Sequence, residues 1–280
     1  MVLLALLLIP FLTALALMAT RPTNAARGIA LLSTIASLGV VLMLWYSFVP
    51  GQTWTPVQYD WVPWLGLRFV LGYDGISLLM LLLTAVVFPF IIGAGYTQKL
   101  QHPSMVNALL LFTQSFLFGV FLAQNGFLFY IFYELSLVPV FFLLLYWGGE
   151  HRRAITVRFF IYTLLGGLML LFGLAYCVMQ TAPISSDFAV LQTLRLPANT
   201  QIWLFWALFL AFAIKLPIFP FHSWQPDTYT MAPLQGTMVL GGVMLKMGLY
   251  GIIKFVFPIV PIGVEYWRDT VIWLSLFGAL

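Results

Sequence analysis

The chain has 280 residues, of which 62% are hydrophobic and 7% charged, and its mean hydropathy is +1.03. Soluble domains carry about 25% charged residues, so a chain this poor in charge is a polytopic membrane protein. A net charge of +4 with no basic run longer than Arg152 and Arg153 excludes a nucleic-acid surface; the single cysteine, Cys177, excludes an internal disulfide and a cysteine-ligated zinc or cluster.

The chain begins MVLLALLLIPFLTALALMAT, with no basic residue ahead of the apolar run and Arg21 and Arg27 just after it. That pattern argues against a cleaved signal peptide and for a first span that starts outside. Hydropathy places spans at about 2–20, 28–49, 76–96, 104–123, 126–147, 154–180, 201–219 and 233–257, with an incomplete ninth from about 268. The closing VIWLSLFGAL is roughly half a span, as in a fragment that stops inside a helix. With the start outside, the inner loops hold Arg21, Arg27, Lys99, Arg152 and Arg153, with Arg158 just inside the sixth span. The outer loops and span ends hold Arg68, Arg195, Lys254 and Arg268, mixed with Asp60, Asp74, Asp187, Glu265 and Asp269. The basic excess is therefore on the inner side, though modest.

The longest outer loop, residues 50–75, is rich in Trp, Tyr, Val and Pro and too polar to span. It reads as an interfacial hairpin with Trp54, Trp61 and Trp64 as belt residues, an anchor rather than a ligand site. No soluble domain, low-complexity segment or clear repeat interrupts the chain. Gly93 and Gly95 precede a polar loop instead of opening a helix after a strand, so they are not a nucleotide motif.

Three ionisable residues fall near span centres: Glu134, Lys215 and Lys246. At about 1.5 Å per residue, Glu134 lies about 12 Å into a core of about 30 Å, and Lys246 about 18–20 Å into its own. Each costs on the order of 3 kcal/mol on insertion scales, so each needs a partner or a watered cavity. Lys215 is followed by Pro217 and Pro220, whose missing N–H groups break the helix and free the carbonyls of Ala213 and Leu216. Such backbone is tolerated at membrane depth only where it lines a buried or hydrated cavity, which outlines an ion path. Pro139 frees the Leu135 carbonyl beside Glu134, and Ser136 adds a hydroxyl there. Gly242, one turn before Lys246, leaves room for a water or for a close-packed helix. His222 is a candidate relay or a packing residue, Asp227 solvates or caps the short helix after the break, and Arg158 reads as an inner-side anchor. One acid with two bases leaves at least one lysine without a carboxylate. A desolvated lysine holds its proton weakly and a nearby carboxylate reverses that, so Glu134 could load or unload a proton on Lys215. The competing reading is a static buried ion pair that fixes packing.

The segments YELSLVPVFFLLLYWGG, AIKLPIFPFHSWQPD and GGVMLKMGLYG, in that order, resemble the antiporter-like proton-pumping subunits of respiratory complex I, nearest to the branch called chain M or subunit 4. The likeness spans essentially the whole chain. It implies an all-α polytopic membrane protein, a bundle of about eight to nine transmembrane helices with a broken helix near Lys215–Pro220, like the first part of a fourteen-helix antiporter-like fold. It also implies one membrane domain, with three N-terminal helices over 1–103, a first five-helix repeat over 104–257 and the start of a truncated second repeat over 258–280. In that family Glu134 matches the glutamate at the subunit interface, Lys215 the broken-helix lysine, and Lys246 the lysine that passes protons toward the centre. The stretch QPDTYTMAP departs from relatives that carry a histidine near Tyr229 and an acid near Met231, which weakens a finer subfamily assignment.

The resemblance implies a proton-translocating subunit of NADH:quinone oxidoreductase that carries no redox centre or metal itself. NADH, FMN, iron–sulfur clusters and quinone are expected in partner subunits of the membrane and redox arms, and no nucleic acid is expected. The setting implied is the bacterial cytoplasmic membrane in preference to an organellar inner membrane. Two alternatives share these features: a subunit of an Mrp-type sodium/proton antiporter, which needs no electron input, and a scaffold with inert buried charges.

Overall fold

The computed structural model describes residues 2–19, 25–62, 66–98 and 100–279; Arg21, Trp64 and Lys99 lie outside the described residues. In hydrocarbon every backbone polar group needs an internal partner, so a chain this apolar folds as helices. In order these are α1 (Val2–Ala19), α2 (Ala25–Tyr46), α3 (Gly75–Ala94), α4 (Pro103–Leu122), α5 (Gly126–Leu135), α6 (Leu137–Trp147), α7 (Arg152–Met179), the short α8 (Phe188–Leu191), α9 (Ala198–Lys215), α10 (Gln225–Met231), α11 (Leu234–Val239), α12 (Leu245–Gly251), α13 (Phe257–Ile259) and α14 (Pro261–Ala279). Helices α5 and α6 meet at Ser136 to form one span. The run Leu234–Ile259 is also one span, in which π-helical turns at Leu240–Met244 and Ile252–Val256 separate α11, α12 and α13. Among the described residues eight helices are thus long and apolar enough to cross a membrane, each within a few residues of its expected bounds.

The ninth helix departs from expectation by starting at Pro261 instead of about 268. Proline suits a first helical turn, and the charges that suggested a loop sit on the exposed side, where Arg268 pairs with Glu265 at 3.0 Å. On the other side Trp267 packs against Trp206 and donates to the Ile202 carbonyl at 3.0 Å, fastening α14 to α9.

Helix α4 is the centre of the first group, with 83% of its span buried, and α1, α2, α3, α5 and α6 pack around it. Across the molecule α7, α9 and the Leu234–Ile259 span form a second group. The two groups are joined by the rings of Phe129, Phe212 and Phe255, with Phe129–Phe255 centroids 4.8 Å apart.

The polar 50–75 segment forms the expected hairpin, in which β1 (Trp54–Val62) pairs antiparallel with β2 (Leu67–Tyr73), Trp54 opposite Tyr73 and Asp60 opposite Arg68. Trp54 and Trp61 are exposed, as belt residues are. The hairpin is bonded to the ends of the bundle beneath it. Gln124 N donates to the Val70 carbonyl at 3.0 Å, the Ser186 hydroxyl to the Gly66 carbonyl at 2.9 Å, and the Arg68 guanidinium to Asp187 at 2.7 Å.

Candidate proton-transfer site

Glu134 stands in the last turn of α5, just before the break at Ser136. The Ser136 hydroxyl is not free to serve Glu134, because it donates to the Tyr133 carbonyl at 2.7 Å. Glu134 Oε1 is buried without a hydrogen-bond partner. It rests directly on Gly167 of α7, in space that any side chain at that position would fill. Gly167 therefore sets where the carboxyl group can sit. We expect Gly167→Ala to displace it and cut coupled proton translocation several-fold while the complex still assembles, as read by proton uptake per electron in membrane vesicles.

Lys215 is the last residue of α9, 2% exposed, and its Nζ has no hydrogen-bond partner. The nearest compensation is the face of Tyr133, 5.1 Å from Nζ to the ring centroid. A contact of that kind is worth about 0.5–2 kcal/mol, less than the several kcal/mol that burying an ammonium costs. Glu134 is the neighbouring residue to Tyr133, yet it does not form a salt bridge with Lys215 within 4.0 Å. The partly buried acid and the buried base are thus unpaired.

The helix breaks where expected, and the connector 216–224 holds both Pro217 and Pro220. One expectation fails in detail. The Ala213 carbonyl is not left free, because Ile218 N reaches back to it at 2.9 Å, and the Ile214 carbonyl accepts the indole N–H of Trp224 at 2.9 Å. The connector thus heals much of the damage the prolines cause. His222 follows the break, its ring stacked on Phe219 and its Nδ1 buried without a partner. Arg158 donates to Asp227 at 2.7 Å with both side chains about half exposed, so Asp227 anchors α10 to α7.

Lys246 lies on α12, half-buried, and its ammonium donates to the Gly241 carbonyl in the first π-helical turn. Among the described residues no hydrogen bond or ion pair joins it to Lys215 or Glu134. Gly242 serves close packing: a Cβ there would meet Val87 of α3 at 3.3 Å.

Sequence reasoning missed the burial of a further charge. Lys254 was grouped with outer loops and span ends, yet it is 6% exposed in the second π-helical turn and ion-paired with Asp74. Asp74 also caps α3, accepting from Ser77 N at 2.9 Å. Burial raises the Asp74 pKa, but the hydrogen bonds from Lys254 and the Ser77 amide outweigh burial and hold the carboxyl below its ordinary value. A lowered folded pKa means stability that is present above the unfolded value, about 3.9, and lost as pH falls through the folded one. We expect the melting temperature of the purified protein to fall below about pH 4, and Asp74→Asn to flatten that acid limb.

A multi-pass helical bundle with a broken helix and unpaired charges in its interior is the class of protein that these features define. The family model described as NADH:quinone oxidoreductase/Mrp antiporter, TM, matches residues 123–280, and the chain belongs to that family. It is 35% identical over 268 residues to the F(420)H(2) dehydrogenase subunit M of Methanosarcina mazei, covering 91% of this chain and 53% of that protein. It is 36% identical over 224 residues to the NADH-quinone oxidoreductase subunit M of Rickettsia bellii, covering 80% of this chain and 45% of that one. A chain in the structure of respiratory complex I from Thermus thermophilus with bound NADH superposes with a TM-score of 0.86 at 25% identity, over 98% of this chain and 56% of that one. The chain spans about half the length of the curated relatives that it matches.

Proposed function

We propose that this chain is part of a proton-translocating membrane-arm subunit of an NADH:quinone oxidoreductase, with Glu134, Lys215 and Lys246 as its proton carriers. The observation that carries the reading is that Glu134 and Lys215 face the interior without pairing, Glu134 Oε1 and Lys215 Nζ both buried without a hydrogen-bond partner. An inert scaffold is expected to close such a pair into a salt bridge, since an unpaired buried charge costs several kcal/mol. A transporter keeps it open so that a small movement changes which group holds the proton. The proton charges Lys215 while Glu134 is near; when Glu134 turns to a neighbouring subunit, Lys215 releases it toward Lys246. His222, with its unpartnered nitrogen after the break, stands as an entry relay. Residues 1–103 form the leading helices, 104–257 the first five-helix repeat and 258–280 the start of the second, in a bacterial cytoplasmic membrane.

NADH, FMN, iron–sulfur clusters and quinone belong to partner subunits in this reading. The relatives are named for two electron donors, NADH and F(420)H(2), so the proton steps of this chain are independent of the donor. The decisive experiment uses inverted membrane vesicles that hold the full complex. Proton uptake driven by NADH, and abolished when electron transfer is blocked, supports the pump. Proton movement that needs only a sodium gradient assigns the chain to an Mrp-type antiporter instead.

A further inference from the structure

Beneath the hairpin lies a cavity of about 370 Å³ that the proton path above does not use. It is lined by charged and amide side chains from distant parts of the chain, among them Arg68, Asp74, Gln124, Asp187, Gln192 and Lys254. Its volume equals on the order of ten waters at the liquid share of about 30 Å³ each. Two charges of each sign balance there, which disfavours an anion or a cation as the resident ligand and favours water. Gln124, 7% exposed, is among the lining residues. The rim, with Thr53, Gln58 and Gln192, is exposed, whereas the floor is the Asp74–Lys254 ion pair.

The floor continues into the span. Lys254 Nζ lies 5.7 Å from the Tyr250 ring centroid, and the Tyr250 and Ser77 hydroxyls are hydrogen-bonded at 2.9 Å. Lys246 is one helical turn further along α12 from Tyr250. The titratable and charged groups around Asp74 and Lys254 are therefore Tyr250 from α12, Arg68 from β2 and Asp187 before α8.

We propose that this cavity is a water-filled vestibule opening on the hairpin side, and that the Asp74–Lys254 pair at its floor exchanges protons with that water. The exchange balances within the pair: Lys254 gives a proton to the Asp74 carboxylate, the carboxylic acid gives it to vestibule water, and Lys254 is recharged from the interior side. The exchange role rests on the proton-translocation reading above, but the hydration of the vestibule does not.

The test places single cysteines in the full complex, in a background with Cys177→Ser, and applies a membrane-impermeant methanethiosulfonate from each side. Thiolates form and react where water reaches them, so Lys254→Cys and Gln124→Cys are expected to label at least about tenfold faster than Lys215→Cys, and only from the hairpin side. Gln124→Cys leaves the ion pair intact and covers the case in which Lys254→Cys fails to assemble. Labelling confined to the rim variant Gln192→Cys overturns the vestibule. In a second arm, Asp74→Asn is expected to lower the proton-to-electron ratio with electron transfer retained in uncoupled vesicles, and a parental ratio overturns the exchange role. If Lys215→Ala also pumps normally, the functional reading has failed, and the labelling still decides hydration by itself.

Discussion

Replacing Lys215 by alanine is expected to lower redox-driven proton uptake at least about tenfold while the complex still assembles, a loss that corresponds to about 1.4 kcal/mol or more at the limiting step. The structural cost of the change is a balance. Truncation of the side chain leaves a cavity, which costs on the order of 2–5 kcal/mol for large buried side chains. Against this, an ammonium without a hydrogen-bond partner leaves the interior, which returns several kcal/mol. Alanine also continues α9 to its last residue as well as any side chain does. Assembly therefore survives, and the amount of intact complex on a native gel checks it. Lys215→Arg sharpens the test, because arginine keeps the charge and fits near Tyr133 but does not release its proton. Both variants lose uptake if Lys215 carries the proton. Normal uptake in Lys215→Arg shows that only the fixed charge matters there.

The broken helix could be read locally, because Pro217 and Pro220 lack the N–H groups that a helix through them needs and Lys215 sits at the last intact turn. The hairpin was legible for a similar reason, being too polar to span and too rich in β-formers for a loose loop. What escaped was set by contacts between segments far apart in sequence. Gly167 looks like any small residue in an apolar helix until α7 is laid against α5 and Glu134 comes to rest on it. Lys254 was assigned to a span end because hydropathy gives the length of a helix but not what lies over its end. There the hairpin, the Gln124 turn and Asp187 close over Lys254, and Asp74 meets it across 180 residues of chain. The early start of α14 was missed because Glu265, Arg268 and Asp269 look like a loop when counted and like an exposed helix face when placed.

Glu134→Gln is the complementary change, and we expect it to lower proton pumping and the electron transfer coupled to it while assembly stays intact. Glutamine matches the shape of glutamate, so it fits the space that Gly167 leaves and removes only the charge. At an effective dielectric near 20, opposite charges attract by about 4 kcal/mol at 4 Å and by under 2 kcal/mol at 10 Å. Glu134 and Lys215 do not form a salt bridge within 4.0 Å, so the proposed switch would work on the part of that curve where a few ångströms change proton occupancy by roughly tenfold or more. In the proposed mechanism, removing the carboxylate holds Lys215 in one state and stalls the cycle. Gly167→Ala moves the same charge instead of deleting it, so its loss is expected to be smaller than that of Glu134→Gln. Proton-to-electron ratios in vesicles, measured for the two variants side by side, test the ordering. A normal ratio in Glu134→Gln sinks the proposal that this carboxylate controls Lys215, and a larger loss in Gly167→Ala assigns the glycine to packing between α5 and α7 alone.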